Sequence, residues 1–172
     1  MITKENLYHC SFDISEIHFD VFSTIKGISK LYLNALPERF KDIKKTKLHP
    51  DDPFMFNIYT QLKEYFNLKR KEFNVMLDIT GTPFQKRVWK QLQTIPFGEI
   101  VSYKTIAERI KQPNAFRAVG HANSVNPVAI IIPCHRVINI DGTIGGYAGG
   151  VDVKEKLLEL EGVKSLNLFN TI

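Results

Sequence analysis

A cysteine sits between a proline and a histidine in the stretch PCHR at 133–136, at the end of the apolar run VAIII. A thiol with an imidazole beside it suits nucleophilic attack, with the imidazole as proton acceptor, or metal ligation. It also suits no chemistry at all, since a buried cysteine commonly behaves as a small hydrophobe. Zinc lacks ligands here: His9, His18, His49 and His121 supply no second Cys/His pair at finger spacing. His135 and Arg136 put positive charge beside Cys134 and are expected to lower its pKa. That favours a reactive thiol and leaves an inert one open. Cys10 lies 124 positions upstream, and two cysteines so spaced read as free thiols rather than a disulfide framework.

A nucleophilic thiol needs a base, and the base needs a group to orient it. Downstream, VKEKLLELEG reads as a helix with Val153, Leu157, Leu158 and Leu160 as its apolar side. Glu161 ends that side before Gly162, where a carboxylate is expected to be partly buried and paired with His135. Glu155 and Glu159 read as the solvated face. Between the thiol and this helix, DGTIGGYAGG holds five glycines at a spacing that fits neither a phosphate-binding loop nor a Rossmann turn. It reads as a tight hairpin and a loop that lets backbone approach a ligand closely.

The elements that must position these groups follow from the rest of the 172 residues, 44% hydrophobic and 24% charged, enough for one ordinary core or two small ones. No basic-then-apolar leader opens the chain, and no stretch approaches the roughly 20 apolar residues of a membrane span, so it reads as soluble and intracellular. The net charge is +5, of which residues 1–80 carry +1 and residues 81–172 carry +4. The positive excess lies in the half that holds Cys134, a weak pointer to an anionic partner.

From Leu7 to Leu36 the β-branched and aromatic residues alternate as in strands of an antiparallel sheet, with Gly27 in a turn. Residues 37–52, with two prolines and a lysine cluster, read as a solvated connector. Phe54, Ile58, Leu62, Tyr65 and Phe66 mark a helix over 53–67 behind Pro53, and FNVMLDIT at 73–80 reads as a closing strand. In the second half Pro83 opens a helix whose apolar face is Phe84, Val88, Trp89, Leu92 and Ile95. Ser102 N-caps YKTIAERI, and after the turn KQPN the residue Asn114 is placed to cap AFRAVGHANS. Two helices joined by a short turn, the second rich in small side chains, outline a helix-turn-helix, although small residues on a helix are more often a helix-packing face.

PCHRV with NPVAIII before it, GGYAGG and KEKLLELEG after it, and PFGEIVSY and RAVGHANS upstream together resemble the O6-alkylguanine-DNA alkyltransferases. The shared motifs run from about Thr82 to Gly162. The resemblance implies an α+β protein, with an N-terminal antiparallel-sheet, ribonuclease H-like domain over 1–80. A mainly helical catalytic and DNA-binding domain with the helix-turn-helix would occupy 81–172. It implies a single-turnover DNA-repair enzyme acting as a monomer on double-stranded DNA that contains O6-alkylguanine or O4-alkylthymine. No cofactor or membrane is implied, and the location would be the cytoplasm, or the nucleus in a eukaryote. Some relatives hold a structural zinc through N-terminal Cys and His residues, but Cys10 with His9 and His18 makes no obvious four-ligand set, so no zinc is expected.

It also implies roles. Cys134 would attack the alkyl carbon and keep the alkyl group, His135 would take the thiol proton through a water, and Glu161 would hold the imidazole tautomer. Tyr103 would donate a proton to N3 of the leaving guanine, and Asn126 would tie the turn between the recognition helix and the thiol. Arg117 would fill the gap left by the flipped nucleotide, with Ala118, Gly120 and Ala122 letting the helix lie deep in the minor groove and with Ser102, Tyr103 and Arg136 also on the DNA. Tyr147, Ala148 and Val137 would line the base pocket. Where some relatives carry a serine in this loop the chain has Ala148, which removes one hydrogen bond to the guanine O6. Two other readings are a lesion-binding relative that does not react and a Cys-His-Glu hydrolase or acyl transferase. The first sits poorly with a retained Cys134, and the second leaves Arg117 and the small-residue helix unexplained.

Overall fold

The computed structural model of the protein describes residues 6–34 and 36–163. The chain divides into two compact units, residues 1–80 and 81–172.

In the first unit, β1 (Tyr8–Ile14), β2 (Ile17–Thr24) and β3 (Gly27–Leu33) form an antiparallel meander. The sequence reading placed these strands, but not the fourth: β4 (Thr46–Lys47) pairs parallel to β1, giving the order β3-β2-β1-β4. The supposed connector therefore contributes to the sheet edge. Helix α1 (Pro53–Phe66) starts at Asp52, whose carboxylate accepts from Phe54 N at 3.0 Å. It buries Met55, Ile58, Leu62 and Tyr65 at helical spacing, while Phe54, expected inside, is 42% exposed. Phe19, Val21, Phe22 and Leu31 supply the sheet's share of the core. Each such side chain stabilises the unit by roughly 1.5–3 kcal/mol. The segment 73–80 is not a regular strand. It touches β3 at one bridge, Ile28 to Leu77, because Gly27 lets the Met76 carbonyl come so close that a Cβ there would collide with it.

In the second unit, α2 (Pro83–Leu92) opens with a reciprocal cap: Thr82 N donates to Gln85 Oε1 at 2.8 Å and Gln85 N donates to Thr82 Oγ1 at 3.2 Å. Helix α3 (Tyr103–Arg109) is capped by Ser102, whose hydroxyl accepts from Thr105 N at 3.0 Å. Helix α4 (Phe116–Ser124) follows a 3-10 turn at Pro113–Ala115, so the helix-turn-helix is present. Asn114 lies inside that turn and does not cap α4, which begins after Ala115 with no side-chain cap. The Trp89 indole N–H donates to the Ala122 carbonyl at 2.8 Å and pins α2 to α4. Strand β5 (Val101–Ser102) pairs parallel with β6 (Val137–Ile138), and α5 (Val151–Leu160) closes the unit.

The apolar run VAIII, although strand-like in composition, is not a strand. Ile132 N donates to the Val128 carbonyl at 3.0 Å and Ile131 N to the Ala129 carbonyl at 2.8 Å, which folds residues 128–132 into a tight turn. Ile130, 1% exposed, sits at φ 68°, in the left-handed region that a β-branched residue avoids. Such a conformation costs about 1–3 kcal/mol and persists only where its surroundings hold it.

Candidate active site

Cys134, His135 and Arg136 form one 3-10 turn between the strained 128–132 loop and β6, and all three are buried. The turn aims consecutive residues at different partners. Asn126 Nδ2 donates to Cys134 Sγ at 2.9 Å and to the Ile132 carbonyl at 2.7 Å, while its Oδ1 accepts from Val128 N at 3.1 Å. One side chain thus fixes both the loop and the thiol. Asn123, buried on α4 and not singled out in the sequence, donates from Nδ2 to the Cys134 carbonyl at 3.3 Å.

Next along the chain, His135 is fully buried and its Nε2 lies 2.9 Å from Glu161 Oε1. Glu161 is held below the usual carboxylate range: burial opposes ionisation, but hydrogen bonds from His135 and Arg136 and their charges outweigh it. An ionised carboxylate only accepts, so Nε2 carries the hydrogen and Nδ1 is left with a lone pair. Nδ1 is buried and has no hydrogen-bond partner among the described residues. Burial pushes the His135 pKa down, against the pull of Glu161, and the imidazole rests neutral. A neutral imidazole with an oriented lone pair is a general base.

Arg136 was expected on the DNA and is instead part of the interior, 5% exposed. Its Nε donates to Glu161 Oε2 at 2.9 Å, Nη2 to Oε1 at 2.8 Å, and Nη1 to the Ile95 carbonyl at 2.6 Å. Gly98 N adds a bond to Glu161 Oε2 at 3.0 Å. The charge expected to activate the thiol is therefore directed at the carboxylate. Accordingly the Cys134 pKa lies above the ordinary thiol value, because burial dominates. Hydrogen bonds from Asn126 and Tyr147 and the charge of Lys154 pull it back.

Lys154, like Asn123, is a group that the sequence does not single out. It lies on the buried side of α5, fully inaccessible, and its Nζ donates to the carbonyls of Val137 at 2.7 Å and Ile144 at 2.5 Å. Burial brings its pKa down to about 8, while Cys134 pulls the other way. A lysine one position from Val153 in an amphipathic pattern carries no signal of burial, since its neighbours Glu155 and Lys156 look solvated.

The remaining candidates divide. Tyr103 starts α3, its pKa raised by burial and then by Cys134, and its hydroxyl would be 3.3 Å from a Cβ at Gly145, where φ is +69°. Glycine at 145 thus lets the 141–150 loop close over the phenol. Tyr147 is half-buried, Ala148 exposed, and Val137 fully buried, offering its carbonyl to Lys154. On α4, Arg117 and Ala118 are exposed and Gly120 is half-buried, 3.9 Å from the Tyr103 ring at the position of an added Cβ. Ala122 is 1% exposed, so its small size serves the packing of α4 rather than a surface. Ser102 is committed to its cap. Among the described residues no group of three or more His, Cys, Asp and Glu is placed to hold a metal, and no helix is long and apolar enough to cross a membrane.

Residues 83–163 match the family described as "6-O-methylguanine DNA methyltransferase, DNA binding domain". The chain is 52% identical over 126 residues to a methylated-DNA–protein-cysteine methyltransferase of Methanosarcina mazei, covering 70% of this chain and 79% of that one. It is 50% identical over 139 residues to the protein of that name from Mycobacterium tuberculosis, covering 80% and 84%. The crystal structure of the Mycobacterium tuberculosis O6-methylguanine methyltransferase superposes with a TM-score of 0.83 at 38% identity, over 93% of this chain and 95% of that one. That of Mycobacterium tuberculosis OGT in complex with DNA gives 0.81 at 41%, over 90% and 92%. With relatives this similar over most of its length, the chain belongs to the methylated-DNA–protein-cysteine methyltransferases and is a DNA-repair enzyme that works by alkyl transfer.

Proposed function

We propose that the alkyl acceptor is Cys134 and the lesion O6-alkylguanine in duplex DNA, with O4-alkylthymine as a second substrate. The observation that carries this reading is the pairing of a buried, protonated thiol with an adjacent neutral His135 whose Nε2 is tied to Glu161 and whose Nδ1 is left as an acceptor. Nδ1 takes the thiol proton, through one bridging water, and the Asn126 amide and Lys154 charge stabilise the thiolate. The sulfur attacks the alkyl carbon in line, a C–S bond forms, and the C–O bond breaks with its electron pair passing to the guanine. Tyr103 gives a proton to N3 of the leaving base, and the imidazolium proton restores the phenol. The thioether is not cleaved again, so each molecule acts once, as a monomer.

A base in the stack does not present its alkyl group to a thiol that is 4% exposed. The nucleotide must therefore turn out of the duplex, at a cost of a few kcal/mol. Arg117, exposed on α4, fills the gap it leaves, and Ala118 and Gly120 let the helix approach the minor groove. Tyr147, Ala148 and the β6 backbone at Val137 receive the base.

Peptide mass spectrometry after incubation with a duplex holding one O6-methylguanine tests this. One methyl on the peptide of Cys134, saturating at one per protein and absent in Cys134→Ser, is the expected result. Tight binding of the lesion without any methyl gain would instead make the protein a lesion sensor.

A further inference from the structure

Three of the solvent-facing side chains of α4 are large, Phe116, Arg117 and His121, and the first two are adjacent. Phe116 is the first residue of the helix and is 45% exposed, and Arg117 follows it. The guanidinium lies over the Phe116 ring, 5.7 Å from its centroid. Around them Ala118 is exposed and Ala115 and Gly120 are half-buried, and no acidic residue occurs between Glu108 and Asp141. A single exposed phenylalanine is ordinary on a protein surface. One that stands beside the arginine assigned to enter the duplex, with the small residues Ala115, Ala118 and Gly120 around the pair, invites a functional reading.

We propose that Phe116 is a second residue that enters the DNA, an apolar wedge at the base step beside the extruded nucleotide. The inference rests on the reading of Arg117 given above. The ring is too bulky to lie beside the backbone in a minor groove about 6 Å wide, and apolar side chains that meet this groove insert between base steps, unstack them and bend the duplex. Before DNA arrives, the cation–π contact holds the guanidinium against the ring, so the two project as one unit and Arg117 loses fewer rotamers on entry. After entry the ring covers the exposed base face at the opened step, a contact indifferent to which base it is. Phe116 is thus a positioning residue for extrusion and takes no part at the sulfur.

The test compares methyl transfer from an O6-methylguanine duplex with transfer from the same single strand, which needs no opening. In Phe116→Ala the ratio of duplex to single-strand rate is expected to fall about tenfold, the scale of one lost base-stacking contact. Phe116→Trp, which keeps a stacking ring, is expected to retain the ratio. A 2-aminopurine placed beside the lesion should show a smaller fluorescence rise on binding Phe116→Ala than on binding the wild type. Thermal melting of each variant registers any loss of fold. An unchanged ratio in Phe116→Ala, or equal losses on both substrates, would overturn the inference. Failure of the wild type to take a methyl from either substrate would overturn the reading beneath it.

Discussion

Asn126 and Cys134 are joined by a hydrogen bond of 2.9 Å from the amide to the sulfur, made by the same nitrogen that holds the Ile132 carbonyl at 2.7 Å. The thiol and the strained turn before it therefore share one donor. A change in the sulfur is felt by Ile130, and a change in the turn is felt by the thiol.

Asn126→Ala removes that donor from the Ile132 carbonyl and the Oδ1 acceptor from Val128 N. Stability should fall by about 1–3 kcal/mol, as for other buried hydrogen-bonding groups deprived of a partner. The thiol pKa should rise further, because the amide is the largest of the influences that lower it. Urea denaturation and thiol alkylation followed against pH measure the two effects. A variant as stable as the wild type, with the same thiol titration, would refute the shared-donor account.

Lys154→Met replaces a buried ammonium by an apolar chain of similar length. The charge that favours the thiolate is lost, and methyl transfer near neutral pH should slow by roughly tenfold for each unit by which the thiol pKa rises. In the wild type the rate should climb with pH as thiolate forms and flatten above about 8, where Lys154 gives up its proton. The variant should show no inflection there. Single-turnover rates on methylated duplex DNA across the alkaline range decide it, and an inflection near 8 that survives the substitution would count against Lys154.

Acid stability has two sources in this site. Burial holds His135 below its ordinary 6.5, so as pH falls through 6.5 the unfolded chain takes a proton that the folded one declines, and stability drops. Glu161 is held below its ordinary 4.5, so its contribution is complete above 4.5 and is lost as pH falls from there towards its folded value. Stability should decline in two stages, and Glu161→Gln should abolish the second. At neutral pH the same variant leaves Arg136 buried without its carboxylate and should lose about 3–5 kcal/mol. Denaturation midpoints measured from pH 7 to pH 3 test both statements. A Glu161→Gln protein with wild-type stability at pH 7 would show that the buried pair is not structural.

The sequence carried the pairing of His135 with Glu161, 26 residues apart, because a carboxylate at the end of an apolar helix face has few ways to be satisfied. It carried the caps at Thr82 and Ser102 because those are local. What it hid depended on distant neighbours. Residues 128–132 are apolar and mostly β-branched, as in a strand, yet among the described residues no partner strand runs beside them, and Asn126 folds them into a turn. Arg136 beside Cys134 looked like an activating charge until Glu161, Ile95 and Gly98 closed around the same place. Lys154 was invisible because its two acceptors are main-chain carbonyls, which any residue supplies.

The burial of Cys134 has a consequence for the protein between encounters with DNA. A thiol that is 4% exposed and keeps its proton is a poor target for dissolved oxidants and stray electrophiles, since thiolate is the species they consume. A molecule that can act only once gains shelf life from this. On the proposed reading, the fold stockpiles its single charge in inert form until a flipped base reaches the pocket.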